Sequence, residues 1–173
     1  MNQEINQEAK STAPGTLFGV GVGPGDPELL TIKAIRVLER CPVVAYPRTR
    51  GENSLALDIV RRAGVDLEGK RLLPLLFPMT KEKEALRRYH DEAAGAVMAE
   101  LRAGSDVAMP SLGDASLYST FSYVLARVKK AGLPVQVVPG VPSFCAAAAS
   151  FGRSLTAMRQ PLHIIPAGYE GSL

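Results

Sequence analysis

The stretch FGVGVGPGDPELLTIKA, residues 18–34, decides the fold class: an apolar run broken by glycines passes through a Gly-Pro-Gly-Asp-Pro turn and resumes as a helix. The same alternation of short apolar runs with helical patterns continues along the chain. It predicts an α/β fold, a mostly parallel sheet with alternating helices. The predicted strands are residues 16–22, 42–46, 71–77, 106–109, 134–138 and 162–165, and the predicted helices are residues 28–40, 54–63, 80–103, 116–131 and 143–151.

Ligands of such a sheet bind beyond the carboxyl ends of its strands, which draws attention to the loops after the first, fourth and fifth strands. In the first loop, Asp26 is placed as a helix N-cap and Pro27 as the first helical residue, so the turn can be purely structural. A dinucleotide fits poorly, because Pro24 lacks an N–H donor and Asp26 would repel a phosphate. No Gly-Lys-Ser/Thr follows, as a P-loop would require.

The loops after the fourth and fifth predicted strands also contain glycine or proline turns ahead of a predicted helix. MPSLGDASLYSTFSYV places Gly113 and Asp114 just past a buried strand, with a helix predicted to open at about Ser116. Asp114 either caps that helix or faces a ligand hydroxyl or ammonium. VQVVPGVPSFCAAAAS carries the Pro139-Gly140 turn before a helix of small residues. Three Gly/Pro turns at one edge, two with an aspartate and none with a basic residue, favour a pocket for a neutral or cationic ligand.

Composition narrows the class of protein. The 173 residues are 46% hydrophobic, enough for one globular domain with a core. The net charge of +3 is scattered without a basic block, so no nucleic-acid partner is expected. No apolar run reaches the roughly 18 residues of a membrane span, and no signal peptide pattern is present, so we predict no membrane partner and a cytoplasmic protein. Cys41 and Cys145 are predicted to be reduced core thiols, and two unclustered histidines predict no metal site.

Four motifs carry a resemblance to a known family. GVGPGDPELLTIKA, LGDASLYSTFSYV, VPGVPSFCAAA and SLTAMRQPLHIIPAG, in this order and spacing, resemble the tetrapyrrole methylases, which methylate corrin and sirohaem precursors with S-adenosylmethionine. The resemblance runs from about residue 17 to the last residue. The SLYSTFSY segment and YPRTR after the second strand are most similar to the C20-methyltransferases of cobalamin biosynthesis, which act on precorrin-2 or cobalt-factor II.

The resemblance implies particular site residues. Ala115 stands where the family usually has proline, and Pro142 replaces a commoner small or hydroxylated residue. The positions that match cofactor contacts of the family are Pro24, Leu112, Gly113, Asp114, Leu117, Pro142, Ser143 and Ala167.

The implied reaction transfers a methyl group from the sulfonium of S-adenosylmethionine to C20 of the tetrapyrrole. Asp26 and Tyr118 are candidates for a base that removes the proton from the methylated carbon. The alternative interpretations are a helix cap for Asp26 and a packed ring for Tyr118. Arg48 and Arg50 are candidates for binding the substrate's carboxylates, with solvated surface arginines as the alternative.

The resemblance also implies a domain organisation. Residues 1–14 are predicted to be a disordered lead, residues 15–158 the N-terminal α/β domain, and residues 159–173 the first strand of a second, truncated α/β domain. Family members hold the cofactor in the cleft between two domains and commonly form homodimers, so a homodimer is expected. A catalytically silent α/β domain acting in assembly is the alternative function. A nicotinamide-binding domain is disfavoured, because it would have to bind a phosphate-bearing ligand.

Overall fold

The computed structural model of the protein describes residues 13–49 and 54–166, in which five parallel strands form one sheet. The strand order is β3-β2-β4-β1-β5, so the predicted α/β class with a parallel sheet is confirmed. The strands are β1 (Leu17–Gly21), β2 (Val43–Arg48), β3 (Arg71–Leu76), β4 (Val107–Ser111) and β5 (Val135–Val138). The helices are α1 (Ile32–Arg40), α2 (Leu55–Arg62), α3 (Lys83–Arg102), α4 (Phe121–Lys130) and α5 (Ser143–Ser150).

Helices cover both faces of the sheet. On one face Phe18 and Val20 pack with α1 and α2, and on the other Leu17 packs with α3 and α4. Every residue of β1 and β4 is buried, which explains why these strands read as continuous apolar runs. None of the described helices is long and apolar enough to cross a membrane.

The connection from β1 to α1 holds two separate helical segments where the sequence predicts one helix. Asp26 does cap a helix, because its Oδ1 accepts a hydrogen bond of 2.9 Å from the N–H of Glu28, but that helix is a single 3₁₀ turn at Pro27–Leu29. Leu30 is extended, and Thr31 then starts α1 by accepting a bond of 3.1 Å from the N–H of Ala34. A second capping side chain therefore splits the helix predicted over residues 28–40.

The prediction of a helix from residue 116 is wrong by five residues, since α4 begins at Phe121. The Asp114 carboxylate accepts a bond of 2.7 Å from the N–H of Ser116, which forms a local turn in place of a helix. Tyr118 has φ of +48°, a left-handed conformation that an α-helix excludes.

Two further predictions about the last third of the described chain are corrected. Residues 162–165 are exposed and form no strand, because no neighbouring strand among the described residues pairs with them. Cys41 is buried as predicted, and burial raises the pKa of its thiol to about 11. Cys145 is exposed, because α5 lies outside both buried clusters of the described chain.

Candidate functional site

The carboxyl ends of three strands meet at one place in the sheet. Because β1 lies between β4 and β5, the three loops that the sequence analysis selected are neighbours. The loops after β1 and β4 are joined by a backbone bridge between Gly23 and Gly113. The Gly113 nitrogen lies 2.8 Å from the Gly23 oxygen that accepts its hydrogen bond, and the Gly23 nitrogen lies 3.2 Å from the Gly113 oxygen. The predicted clustering of these loops is therefore confirmed.

Glycines allow the three loops to touch backbone to backbone. A Cβ added at Gly21 would lie 2.6 Å from the Gly140 nitrogen and 2.8 Å from the Gly113 oxygen. A Cβ added at Gly140 would lie 2.2 Å from the same Gly113 oxygen. Any side chain at either position would therefore push the loops apart.

Asp114 ties two of these loops together. Its Oδ2 accepts a bond of 2.8 Å from the N–H of Gly140, and its Oδ1 accepts from the N–H and the hydroxyl of Ser116 at 2.7 and 2.5 Å. Burial raises the pKa of Asp114, but these hydrogen bonds together outweigh burial and hold the pKa below its usual value. The helix-capping interpretation is wrong, because α4 begins only at Phe121.

A pocket of about 480 Å³, called here the loop pocket, opens where the three loops meet. No lysine or arginine is found among its described lining residues, and Asp114 is their one acidic side chain. Tyr118 also lines it, and its hydroxyl donates to the Ile164 oxygen at 3.2 Å. The predicted cofactor residues that line the loop pocket are Pro24, Leu112, Gly113, Asp114, Leu117, Pro142 and Ser143.

Other predicted site residues lie elsewhere. Asp26 is exposed and does not line the loop pocket, and its carboxylate is engaged with the N–H of Glu28. Tyr118 is 67% exposed, so the interpretation as a packed ring is wrong. Ala167 and Arg50 lie outside the described residues.

Sequence reasoning missed one wall of the loop pocket. The sequence analysis predicts a strand over residues 162–165, which gave no reason to place them in the lining of a pocket. The missed lining residues are Phe144, Leu155, Leu162, His163, Ile164, Ile165 and Pro166.

A second pocket, of about 500 Å³, lies beside the first and is called here the Arg48 pocket. Leu112 and Tyr118 line both pockets, so the two are adjacent. Arg48 and Ser111 line only the second one, at the carboxyl ends of β2 and β4. The sequence analysis did not select Ser111, although a polar residue that ends an apolar strand at the ligand edge was an available signal.

Comparisons with known proteins identify one family. The family model described as Tetrapyrrole (Corrin/Porphyrin) Methylases matches residues 16–173. The chain is 39% identical over 155 residues to a protein of Methanocaldococcus jannaschii described as a probable cobalt-precorrin-2 C(20)-methyltransferase. It is 38% identical over 156 residues to the cobalt-precorrin-2 C(20)-methyltransferase of Salmonella typhimurium.

These alignments cover 89% and 87% of the chain, but the chain spans only 65% and 63% of the two relatives' lengths. A solved structure with a similar fold is the uroporphyrin-III C-methyl transferase of Thermus thermophilus, complexed with S-adenosyl homocysteine. Its TM-score is 0.59 at 28% identity, and the match covers 84% of this chain and 51% of that one.

Proposed function

Because the chain belongs to the tetrapyrrole (corrin/porphyrin) methylases, we propose that its loop pocket binds S-adenosylmethionine for methyl transfer to C20 of precorrin-2 or cobalt-factor II in cobalamin biosynthesis. The similarity to two C20-methyltransferases supports the choice of substrate.

The lining of the loop pocket is the observation that carries the proposal. Seven residues expected to touch the cofactor come from three separate loops and line one cavity. Its volume falls within the range of about 300–1,000 Å³ that is usual for small-molecule sites. A wall of apolar side chains and backbone groups, with one carboxylate and no lysine or arginine among the described lining, suits a sulfonium cation that carries no phosphate.

The chain contributes chiefly by holding the two reactants in line. The cofactor supplies an activated methyl group, and no protein nucleophile is needed to transfer it. Fixing donor and acceptor carbon at about 3–3.5 Å accounts for most of the expected acceleration. Of the two candidate bases for the proton lost from C20, Tyr118 is the better placed, because it lines both pockets, whereas Asp26 lies outside the loop pocket and caps a 3₁₀ turn. Tyr118 would take up this proton as its phenolate.

The apolar surface that follows α5 supports a second domain. Phe151, Leu162 and Ile165 are exposed on this surface, and burying them would stabilise a packed partner. We propose that the region beginning at residue 159 belongs to such a domain, which closes the loop pocket into a cleft. The same exposed residues favour the alternative function, a silent domain that acts in assembly.

Titration calorimetry with S-adenosylhomocysteine tests the function. We expect micromolar binding by the parent chain. Ser143→Trp places an indole in the loop pocket and should abolish binding, whereas Ser150→Trp, at the other exposed end of the same helix, should bind like the parent. A parent chain that does not bind, or a Ser143→Trp variant that binds equally well, refutes the cofactor site and favours the assembly function.

Two expectations from the sequence remain predictions. A homodimer is tested by sedimentation equilibrium of the purified chain, and a cytoplasmic location by fractionation of the source cells. A monomer across the accessible concentration range would contradict the first of these.

A further inference from the structure

One wall of the loop pocket is a segment without secondary structure. Residues 162–166 line the pocket, and residues 161–166, called here the strap, form no helix or strand. Pro161 and Pro166, at the two ends of the strap, have no N–H to donate. No backbone-to-backbone hydrogen bond joins the strap to the rest of the described chain. The strap therefore lacks the kind of backbone bridge that joins the loops after β1 and β4.

A single side-chain hydrogen bond attaches the strap to the domain. The hydroxyl of Tyr118 donates to the Ile164 oxygen at 3.2 Å, across 46 positions of the chain. It is the one hydrogen bond between the strap and the other described residues. A segment held by so few bonds opens at a low cost in free energy.

The backbone of Tyr118 is strained at the point where it meets the strap. With φ of +48°, Tyr118 is the one residue other than glycine with a positive φ in the described part of the chain. A bulky side chain rarely adopts this conformation, and such outliers concentrate at ligand clamps and switch regions. Core packing does not explain the conformation, because Tyr118 is mostly exposed. The conformation does place Tyr118 in the lining of both pockets, with its hydroxyl at the strap.

The side chains of the strap gain burial only when the pocket is filled. Leu162, Ile164 and Ile165 line the loop pocket, yet they are 48%, 42% and 50% exposed. A ligand with apolar surface, such as the adenine ring of S-adenosylmethionine, would remove part of this area from water. Because burial of apolar surface is favourable, an occupied pocket favours the closed strap.

We propose that the strap is a movable wall of the loop pocket, which opens to admit the cofactor and closes on it, and that Tyr118 is the positioning residue that holds it closed. The identity of the ligand rests on the proposed function, but the attachment of the strap rests on the bond to Ile164 and on the strained backbone of Tyr118. Tyr118 holds the strap as a phenol, because a phenolate has no proton to donate.

Methyl NMR of the full chain with labelled isoleucine tests the attachment. Tyr118→Phe removes the hydroxyl and keeps the ring, so the ring's effect on nearby methyl shifts persists. We expect this variant to move the Ile164 and Ile165 methyl signals towards random-coil positions. The signal of Ile59, which is buried in the core, should not change. The matched control is Tyr123→Phe, which alters an exposed tyrosine of α4 that lines neither pocket and should leave all three signals as in the parent.

Titration calorimetry with S-adenosylhomocysteine tests the role in binding. Tyr118→Phe should weaken binding about twofold to tenfold, as expected for the loss of one neutral hydrogen bond, whereas Tyr123→Phe should bind like the parent. Adding the ligand to the parent should shift the Ile164 and Ile165 signals. The Tm of Tyr118→Phe should equal that of the parent, because the hydroxyl holds the strap and not the core.

Each part of the proposal has its own contrary result. Unchanged Ile164 and Ile165 signals in Tyr118→Phe, or a clear fall in its Tm, would overturn the attachment. Signals that move while S-adenosylhomocysteine binds with the parent's affinity would show that the strap does not close on the cofactor. A parent chain that does not bind the ligand refutes the proposed function, and the spectra without ligand still decide whether Tyr118 holds the strap.

Discussion

Replacing Gly140 with alanine tests whether the three loops touch as the structure shows. The new Cβ would lie 2.2 Å from the Gly113 oxygen and 2.7 Å from the Gly21 Cα, whereas Cβ atoms essentially never come closer than 3.0 Å to such atoms. The loop after β5 must therefore move by about 0.8 Å to relieve the first contact alone. A shift of this size stretches the 2.8 Å bond from the Gly140 N–H to Asp114 out of hydrogen-bonding range.

The expected loss of stability has two sources, the weakened hydrogen bond to Asp114 and the overpacking by the new Cβ. A hydrogen bond to an ionised group contributes about 1.5–3 kcal/mol, and overpacking typically costs about 1–3 kcal/mol. Asp114 is partly exposed, which favours the lower end of the first range. We expect Gly140→Ala to lower the free energy of unfolding by about 2.5–4.5 kcal/mol and to weaken S-adenosylhomocysteine binding at least tenfold, because the loop that carries Pro142 and Ser143 moves with it.

Urea unfolding followed by circular dichroism measures the loss of stability. The control is Gly95→Ala on α3, where an added Cβ meets no atom within 4 Å. That variant should be as stable as the parent or more stable by up to about 1 kcal/mol, because alanine favours a helix over glycine. A Gly140→Ala variant with the parent's stability and affinity would show that the loops do not make this contact.

Three other predictions follow from single groups. Because folding lowers the pKa of Asp114, its carboxylate stabilises the fold above pH 3.8, the pKa in the unfolded chain, and this stabilisation is lost as the pH falls through the folded pKa. The Asp114→Asn variant should therefore lack this loss of stability in acid unfolding. Identical acid unfolding curves for the variant and the parent would contradict the argument. In the native protein Ellman's reagent should label Cys145 and not Cys41; labelling of both would contradict the burial and raised pKa of Cys41. Gly19→Ala puts a Cβ 2.3 Å from the buried Phe121 ring, so urea unfolding should show a loss of about 1–3 kcal/mol, and no loss would show that the ring can move aside.

Local sequence predicted the elements whose patterns are local. β1, β3 and β5 lie within one residue of the predicted bounds, because Gly or Pro follows each apolar run and marks where the strand ends. On the predicted helix of residues 80–103, Ala93, Val97 and Leu101 are spaced four apart and are buried in α3. The errors occur where a side chain competes with the backbone, as at Ser116, or where a segment has no partner, as at residues 162–165.

The residues of the candidate site were predicted, but their hydrogen bonds and backbone conformations were not. Three Gly/Pro turns after parallel strands had to lie at one edge, so the pattern selected three neighbouring loops. The resemblance to the family then named Pro24, Gly113, Asp114 and Pro142, which line one cavity. It did not show that Asp114 bonds to Gly140, since the two residues are 26 positions apart. Nor could it show that Tyr118 adopts a left-handed conformation between two pockets.

The sequence by itself determined the α/β class, the three loops of the candidate site and the poor fit of their turns to a dinucleotide or P-loop, because periodicity, capping and proline chemistry act over a few residues. The tertiary structure decided the strand order that places β1 between β4 and β5, and the burial that leaves the Ser111 hydroxyl without a partner among the described residues. Strand pairing and the satisfaction of buried polar groups depend on atoms far apart along the chain, whose meeting is set by the packing of the whole domain.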